Sequence, residues 1–281
     1  MRLISWQKNG TRGLAARRGS QLVNLEGLDL MSVLKAGQAG IERARALSQT
    51  GSVLDERALT YLPPLTAPPK IVCVGINYWD HARENKLETP AHPTFFARFA
   101  STLIGHEQPI IRPIVSEQLD YEGELALIIG KPGRHIGTEK ALEHVAGYAV
   151  FNDASVRDYQ MRGQQWTLGK NFDGTGPFGP DFVTADEVPP GGKGLRLTTR
   201  LNGATVQSSN TNELIFDVPT LISKLSEALT LETGDVIVTG TPGGIGFFRT
   251  PKLFMKQGDV CEIEIEGIGT LRNRIQDEAP A

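Results

Sequence analysis

From Lys70 onward, glycine and proline cut this chain so often that its apolar runs are strand-length and seldom helix-length. Five such runs are β-rich, at 71–74, 124–129, 195–201, 236–239 and 259–266, each four to eight residues bounded by turn-formers. A helix is expected at 218–229, and a second at 153–162. Many strands with few helices fit an α+β, predominantly β domain better than a repeating βαβ unit. With 281 residues, 31 of them Gly and 17 Pro, and 40% hydrophobic, the chain can bury a large core.

The amino-terminal part reads differently. Residues 2–25 fall into short strand-sized pieces broken at Asn9-Gly10 and Arg18-Gly19, and residues 28–60 carry helical spacing. Leu62-Pro-Pro-Leu-Thr-Ala-Pro-Pro is a stiff extended linker that ends any helix before it. A small α/β domain over 1–65 and a main domain over 70–281 are therefore expected. A net charge of −3 with dispersed lysines and arginines gives no reason to expect nucleic acid or an anionic membrane as partner. Cys73 and Cys261 sit in strand-like stretches and are expected as buried thiols without a disulfide. No stretch has the length of a membrane span and no apolar leader is visible, so a cytoplasmic protein with a small-molecule partner is expected.

Three carboxylates stand out in this apolar setting. Glu122 and Glu124 lie two apart at the start of a strand run, so they share one face while Gly123 takes the other. With Asp153 close by in the sequence, they form a candidate all-oxygen site for a hard divalent ion such as Mg²⁺ or Mn²⁺. The plain alternative is a solvated strand-face pair. His81 and Glu84, three apart in a segment that enters a short helix, could form an acid/base dyad or an ordinary surface pair. If a helix opens at Asp153, Arg157 and Gln160 share its face, where the arginine could grip a substrate carboxylate or pair with Asp153. Lys170, between Gly169 and Asn171, could stabilise developing negative charge. The run from Val238 to Gly246 is a strand entering a glycine-rich turn whose N–H groups, with Thr241, could bind substrate oxygens. It lacks the G-K-[ST] of a P-loop.

Five motifs in order carry a resemblance to the fumarylacetoacetate hydrolase family: Val74-Gly-Ile-Asn-Tyr-Trp-Asp-His-Ala82, Asp120-Tyr-Glu-Gly-Glu-Leu125, Gly147 to Gln160 with its Asn-Asp-Ala-Ser-Val-Arg core, Gly169-Lys-Asn-Phe-Asp173, and Gly234 to Gly246. The resemblance implies a mixed β-sandwich or roll, built as a homodimer, in which Glu122, Glu124 and Asp153 hold one Mg²⁺ or Mn²⁺. It also implies that His81 and Glu84 activate water on a mobile lid over 79–89. Lys170 is implied as catalytic, and Arg157, Gln160, Thr241 and Tyr78 as substrate contacts. Asn77 stands where the animal enzymes have an aspartate, and Arg98 where lysine is frequent in relatives.

Such a site acts as an electron sink. A 2-oxo acid bound through its carboxylate and 2-oxo oxygen can delocalise charge released at C3 as an enolate. If C4 is a ketone, attack of hydroxide there breaks the C3–C4 bond. The dyad makes metal-dependent C–C hydrolysis of a 2,4-dioxo acid, in aromatic or sugar-acid catabolism, the leading expectation. An oxaloacetate-type decarboxylase or a hydroxymuconate-type isomerase or hydratase is the alternative, and a non-catalytic metal-binding protein a third reading.

Overall fold

The computed structural model describes residues 1–84 and 90–280. In chain order its elements are β1 (Arg2–Lys8), β2 (Thr11–Arg18), β3 (Gln21–Asn24), α1 (Leu30–Lys35), α2 (Gly37–Thr50), β4 (Val53–Leu54), β5 (Thr60–Tyr61), β6 (Ile71–Gly75), α3 (Trp79–Glu84), β7 (Thr94–Arg98), β8 (Leu103–Ile104), β9 (Ile110–Arg112) and β10 (Leu119–Asp120). There follow β11 (Gly123–Ile129), β12 (Val145–Asn152), β13 (Ser155–Val156), α4 (Arg157–Gln160), α5 (Thr167–Lys170), β14 (Gly176–Thr184), β15 (Arg196–Leu201), β16 (Ala204–Asn210), α6 (Val218–Ala228), β17 (Val236–Val238), β18 (Val260–Ile265) and β19 (Gly269–Asp277). Strands dominate, as an α+β, predominantly β reading requires.

One long sheet runs β4-β3-β2-β1-β14-β12-β11-β17-β6-β7, and a second runs β16-β15-β18-β19-β9. β11 is buried on both faces, which explains its continuous apolar run. Leu125, Leu127 and Ile129 face the core shared with the second sheet and α6, whereas Ala126 and Ile128 face a core shared with the amino-terminal segment. Helix α6 is capped by Asp217, whose side chain accepts from Thr220 N, and it buries Val218, Leu221, Ile222 and Leu225 at helical spacing. A Cβ on Gly123 would come within 2.4 Å of Thr199 Oγ1. Only glycine lets the second sheet approach here, and this forces the neighbouring glutamates to the other side.

Residues 1–65 do not form a separate layer. β1 pairs antiparallel with β14, and Leu3, Leu14, Leu25 and Val33 share one cluster with Ile128, Phe151 and Phe178. Asp181, on β14, lies 3.3 Å from Arg2 and 3.5 Å from Arg17, tying the same junction by charge. The linker divides the sequence but not the sheet.

The expected helix at 153–162 is mostly something else. The Asp153 N–H donates to Glu122 O at 2.9 Å, so this residue prolongs the β11–β12 ladder. A short strand, β13, follows, and only α4 is helical. Among the described residues, no helix is long and apolar enough to cross a membrane.

Candidate active site

The β11–β12 pairing sets Glu124 opposite Phe151 and Gly123 opposite Asn152, which brings Asp153 beside the two glutamates. One carboxylate oxygen from each of Glu122, Glu124 and Asp153 lies within 4.8 Å of the others. Their exposures are 6%, 1% and 0%, so the solvated strand-face alternative is not what the fold builds. Lys170, delivered by α5, places Nζ 2.6 Å from Glu122 Oε2 and 2.5 Å from Asp153 Oδ2. Burial opposes its charge, yet Asp153 and Glu122 hold its pKa above the usual lysine value.

Arg157 begins α4 and reaches sideways. Its Nη1 lies 2.7 Å from Glu122 Oε1 and donates to Gln160 Oε1 at 2.9 Å, while Nε donates to Asp120 Oδ2 at 2.9 Å. It therefore pairs with Asp120 and Glu122 and not with Asp153, because Asp153 belongs to the ladder and not to the helix. Asp153 instead meets Arg98, whose Nη1 lies 2.5 Å from its Oδ1. Arg98 is fully buried and also bonds Ala154 O and Thr175 Oγ1.

Electrostatics separate the two glutamates. Burial raises the Glu122 pKa, but Lys170 and Arg157 overcome this and bring it to about 2. Glu124 is pushed well above the ordinary carboxylate range, first by burial and then by Asp153 and Glu122. It receives the Gly240 N–H at 2.5 Å. Three hard oxygen donors with surplus negative charge suit Mg²⁺ or Mn²⁺.

Glu122 and Glu124 line a cavity of about 360 Å³ together with His81, Arg157, Gln160, Lys170 and Thr241. Phe96, Trp166, Phe247 and Phe248 rise around it. His81, 7% exposed, meets the Phe248 ring edge-on at 6.1 Å. Burial holds its imidazole below the ordinary 6.5, against the opposing field of Glu122. Glu84 acts on His81 through its charge, and its Oε2 accepts the Gly244 N–H at 2.8 Å. The Thr241 hydroxyl donates to Gly123 O at 3.1 Å and accepts from Gln207 at 2.8 Å. Tyr78 departs from expectation: it is fully buried and does not line the cavity. Its backbone bridges to Leu214.

The described part of the expected lid is fastened down. Asp80 accepts from Ser209 Oγ at 2.8 Å and Gly243 N at 3.3 Å, and Arg83 pairs with Glu213 at 3.1 Å. The rest of that segment, 85–89, lies outside the described residues. Asn77 does not face the carboxylates; it donates to Phe216 O and Thr239 O and accepts from Phe216 N, clamping the start of α3 to the end of β17. Beside it Ile76 lines the cavity at φ 54°, a conformation costly for a β-branched side chain.

Sequence reading gave no role to Asp120 or the aromatic wall, and marked Arg98 only as a departure. Asp120 accepts the Gly246 and Phe247 N–H groups at 2.8 and 2.9 Å as well as Arg157, linking the glycine-rich turn to the arginine. Its one signal was an acid two residues ahead of E-x-E. Arg98→Met is expected to cost about 3–5 kcal/mol in urea denaturation, because it leaves the Asp153 charge buried with one side unmatched. An unchanged midpoint would show that Lys170 alone suffices for Asp153.

Residues 70–276 match the family described as fumarylacetoacetate (FAA) hydrolase C-terminal. The chain is 42% identical over 272 residues to the human protein named oxaloacetate tautomerase FAHD2A, mitochondrial, covering 94% of this chain and 86% of that one. Among solved structures, a fumarylacetoacetate hydrolase from Exiguobacterium antarcticum superposes with a TM-score of 0.87 at 34% identity, covering 99% of this chain and 100% of that one. A maleylpyruvate hydrolase from Sphingobium sp. SYK-6 in complex with manganese(II) and pyruvate gives 0.85 at 26% identity, with coverage of 99% and 100%. With its β-rich fold, its buried carboxylate cluster and a match over most of its length, the chain belongs to the fumarylacetoacetate hydrolase family of enzymes.

Proposed function

We propose that this enzyme moves a proton at C3 of a 2-oxo acid, interconverting keto and enol forms, with oxaloacetate as the first substrate to test. The observation that carries this is a buried imidazole, His81, kept below its usual pKa in the same cavity as the carboxylate cluster. Identity to the human oxaloacetate tautomerase along 94% of the chain supports it. Glu122, Glu124 and Asp153 would hold one Mg²⁺ or Mn²⁺, which when bound would supply Lewis-acid polarisation of the 2-oxo group.

The residues then divide the work. A neutral His81 can take the C3 proton and return it, since burial holds its pKa below the ordinary value. Lys170 fixes Glu122 and Asp153. Arg157, braced by Asp120, orients the substrate carboxylate together with Gln160, and Phe248 shields the imidazole from water. The family's homodimer is part of this reading.

Hydrolysis, the leading expectation from sequence, now ranks second. The human relative that is 42% identical to this chain carries a tautomerase name, which favours proton transfer over cleavage. The maleylpyruvate hydrolase likeness keeps C–C cleavage as the competing reading. The discriminating assay follows the ultraviolet absorbance of enol oxaloacetate with Mg²⁺ or Mn²⁺. Loss of enol without pyruvate is the expected result; pyruvate with CO₂ would make the enzyme a decarboxylase. Cleavage of an acylpyruvate panel, with oxaloacetate untouched, would restore the hydrolase.

A further inference from the structure

Resting on the C3 proton-transfer reading, we propose that Lys252 sets substrate choice: its ammonium takes the distal carboxylate of a dicarboxylic 2-oxo acid, while the 2-oxo acid end is held at the carboxylate cluster. Lys252 stands outside the residues described so far. Its Nζ lies 4.0 Å from the centre of the Phe247 ring, and Phe247 lines the active-site cavity.

The loop that carries Lys252 is folded back on the site. Gly246 O accepts the Arg249 N–H at 3.3 Å and the Leu253 N–H at 3.1 Å, and a Cβ on Gly246 would lie 1.8 Å from Leu253 O. Only glycine permits that approach, which sets Lys252 beside Phe247. Phe247 is fixed in turn, because its N–H donates to Asp120 Oδ2 at 2.9 Å, the carboxylate that braces Arg157. Loop and cavity floor thus share one anchor. The face of an aromatic ring attracts an ammonium without neutralising it, so the charge of Lys252 stays available to an anion.

The neighbouring cations are already committed. Arg157 is shared by Asp120 and Glu122, Lys170 by Glu122 and Asp153, and Arg98 faces Asp153. Arg249 donates to Gly244 O and Val206 O, and Arg162 lies over the Tyr159 ring, 3.7 Å from Asp158. Lys252 has no carboxylate partner among the described residues. The wall of Phe96, Trp166, Phe247 and Phe248 offers a second carboxylate no donor of its own, and burying one there unmatched is costly. An ammonium on a flexible four-carbon stem can cross the Phe247 ring to meet it.

The test follows C3–H exchange in D₂O by NMR, with Mg²⁺, on oxaloacetate and on 2-oxobutyrate, which carries a methyl group where oxaloacetate has its second carboxylate. In Lys252→Ala the KM for oxaloacetate should rise about tenfold, the loss of one hydrogen bond to a charged group, with kcat unmoved and no change on 2-oxobutyrate. Lys252→Arg should recover most of that loss. Lys252 is exposed, so both variants should melt with the parent. An unchanged KM for oxaloacetate in Lys252→Ala, or equal losses on both substrates, overturns the inference and leaves the C3 proton-transfer reading standing. Exchange on neither substrate, with Mg²⁺ bound by calorimetry, overturns that reading itself. The calorimetric Kd of oxaloacetate then decides the role of Lys252: a rise of about tenfold in Lys252→Ala supports it, and an equal Kd overturns it.

Discussion

Glu124→Ala is expected to abolish both turnover and the rise in melting temperature that Mg²⁺ gives the parent. Glu122 and Asp153 are already bridged by Lys170, whereas Glu124 has no ion pair to a described residue and is the donor left for the ion. A ligand at about 100 times its Kd stabilises a fold by about 2.7 kcal/mol, and this increment should vanish. The metal-free variant should melt close to the parent, because the change also removes a carboxyl that burial, then Asp153 and Glu122, hold above the ordinary carboxylate range. Loss of metal response therefore separates from misfolding. If the Glu122→Ala, Glu124→Ala double variant is still stabilised by Mg²⁺ as the parent is, the ion binds elsewhere.

His81→Ala should lose about 10²-fold to 10⁴-fold in kcat, the usual contribution of a positioned base, and keep its metal affinity. Loss of metal from that variant would overturn the assignment, since His81 approaches from α3 and the carboxylates from β11 and the residues flanking the β11–β12 pair. The pH profile gives an independent check. Burial holds the His81 pKa below 6.5, so the parent should work evenly above that value and lose activity only on its acid side. Stability follows the same sign: near pH 6.5 the unfolded chain takes up a proton that the folded one refuses. The His81 contribution is thus present above 6.5 and fades as pH falls below it. An acid limb that persists unchanged in His81→Ala would place the titration on another group.

Much of the carboxylate cluster was legible because strand periodicity and a glycine left little freedom: Glu-Gly-Glu at the head of a buried strand can only aim both carboxylates one way. Asp153 was read as a ligand but placed on a helix, since the spacing to Arg157 looks helical once the ladder bond to Glu122 is unknown. The strand Gly176–Thr184 was passed over because its glycines and prolines read as turn. Arg98 gives no local pattern at all. Its meaning arises when β7 and β12 bring it against Asp153, a long-range fact that no window of sequence holds. The aromatic wall is similar, drawn from segments around Phe96, Trp166 and Phe247 that meet only in the fold.

The pairing of β1 with β14 bears on heredity. The family match begins at residue 70, just past the proline linker, which invites thinking of the preceding segment as an exchangeable cassette. The backbone says otherwise. The inner strand that flanks β12 completes its hydrogen bonds on residues 2 and 3, and Asp181 answers to arginines from the other side of the linker. A chimaera joined at the linker would need to match register, core volume and charge across that seam at once, so lineages should find it easier to alter the two parts together than to trade one of them.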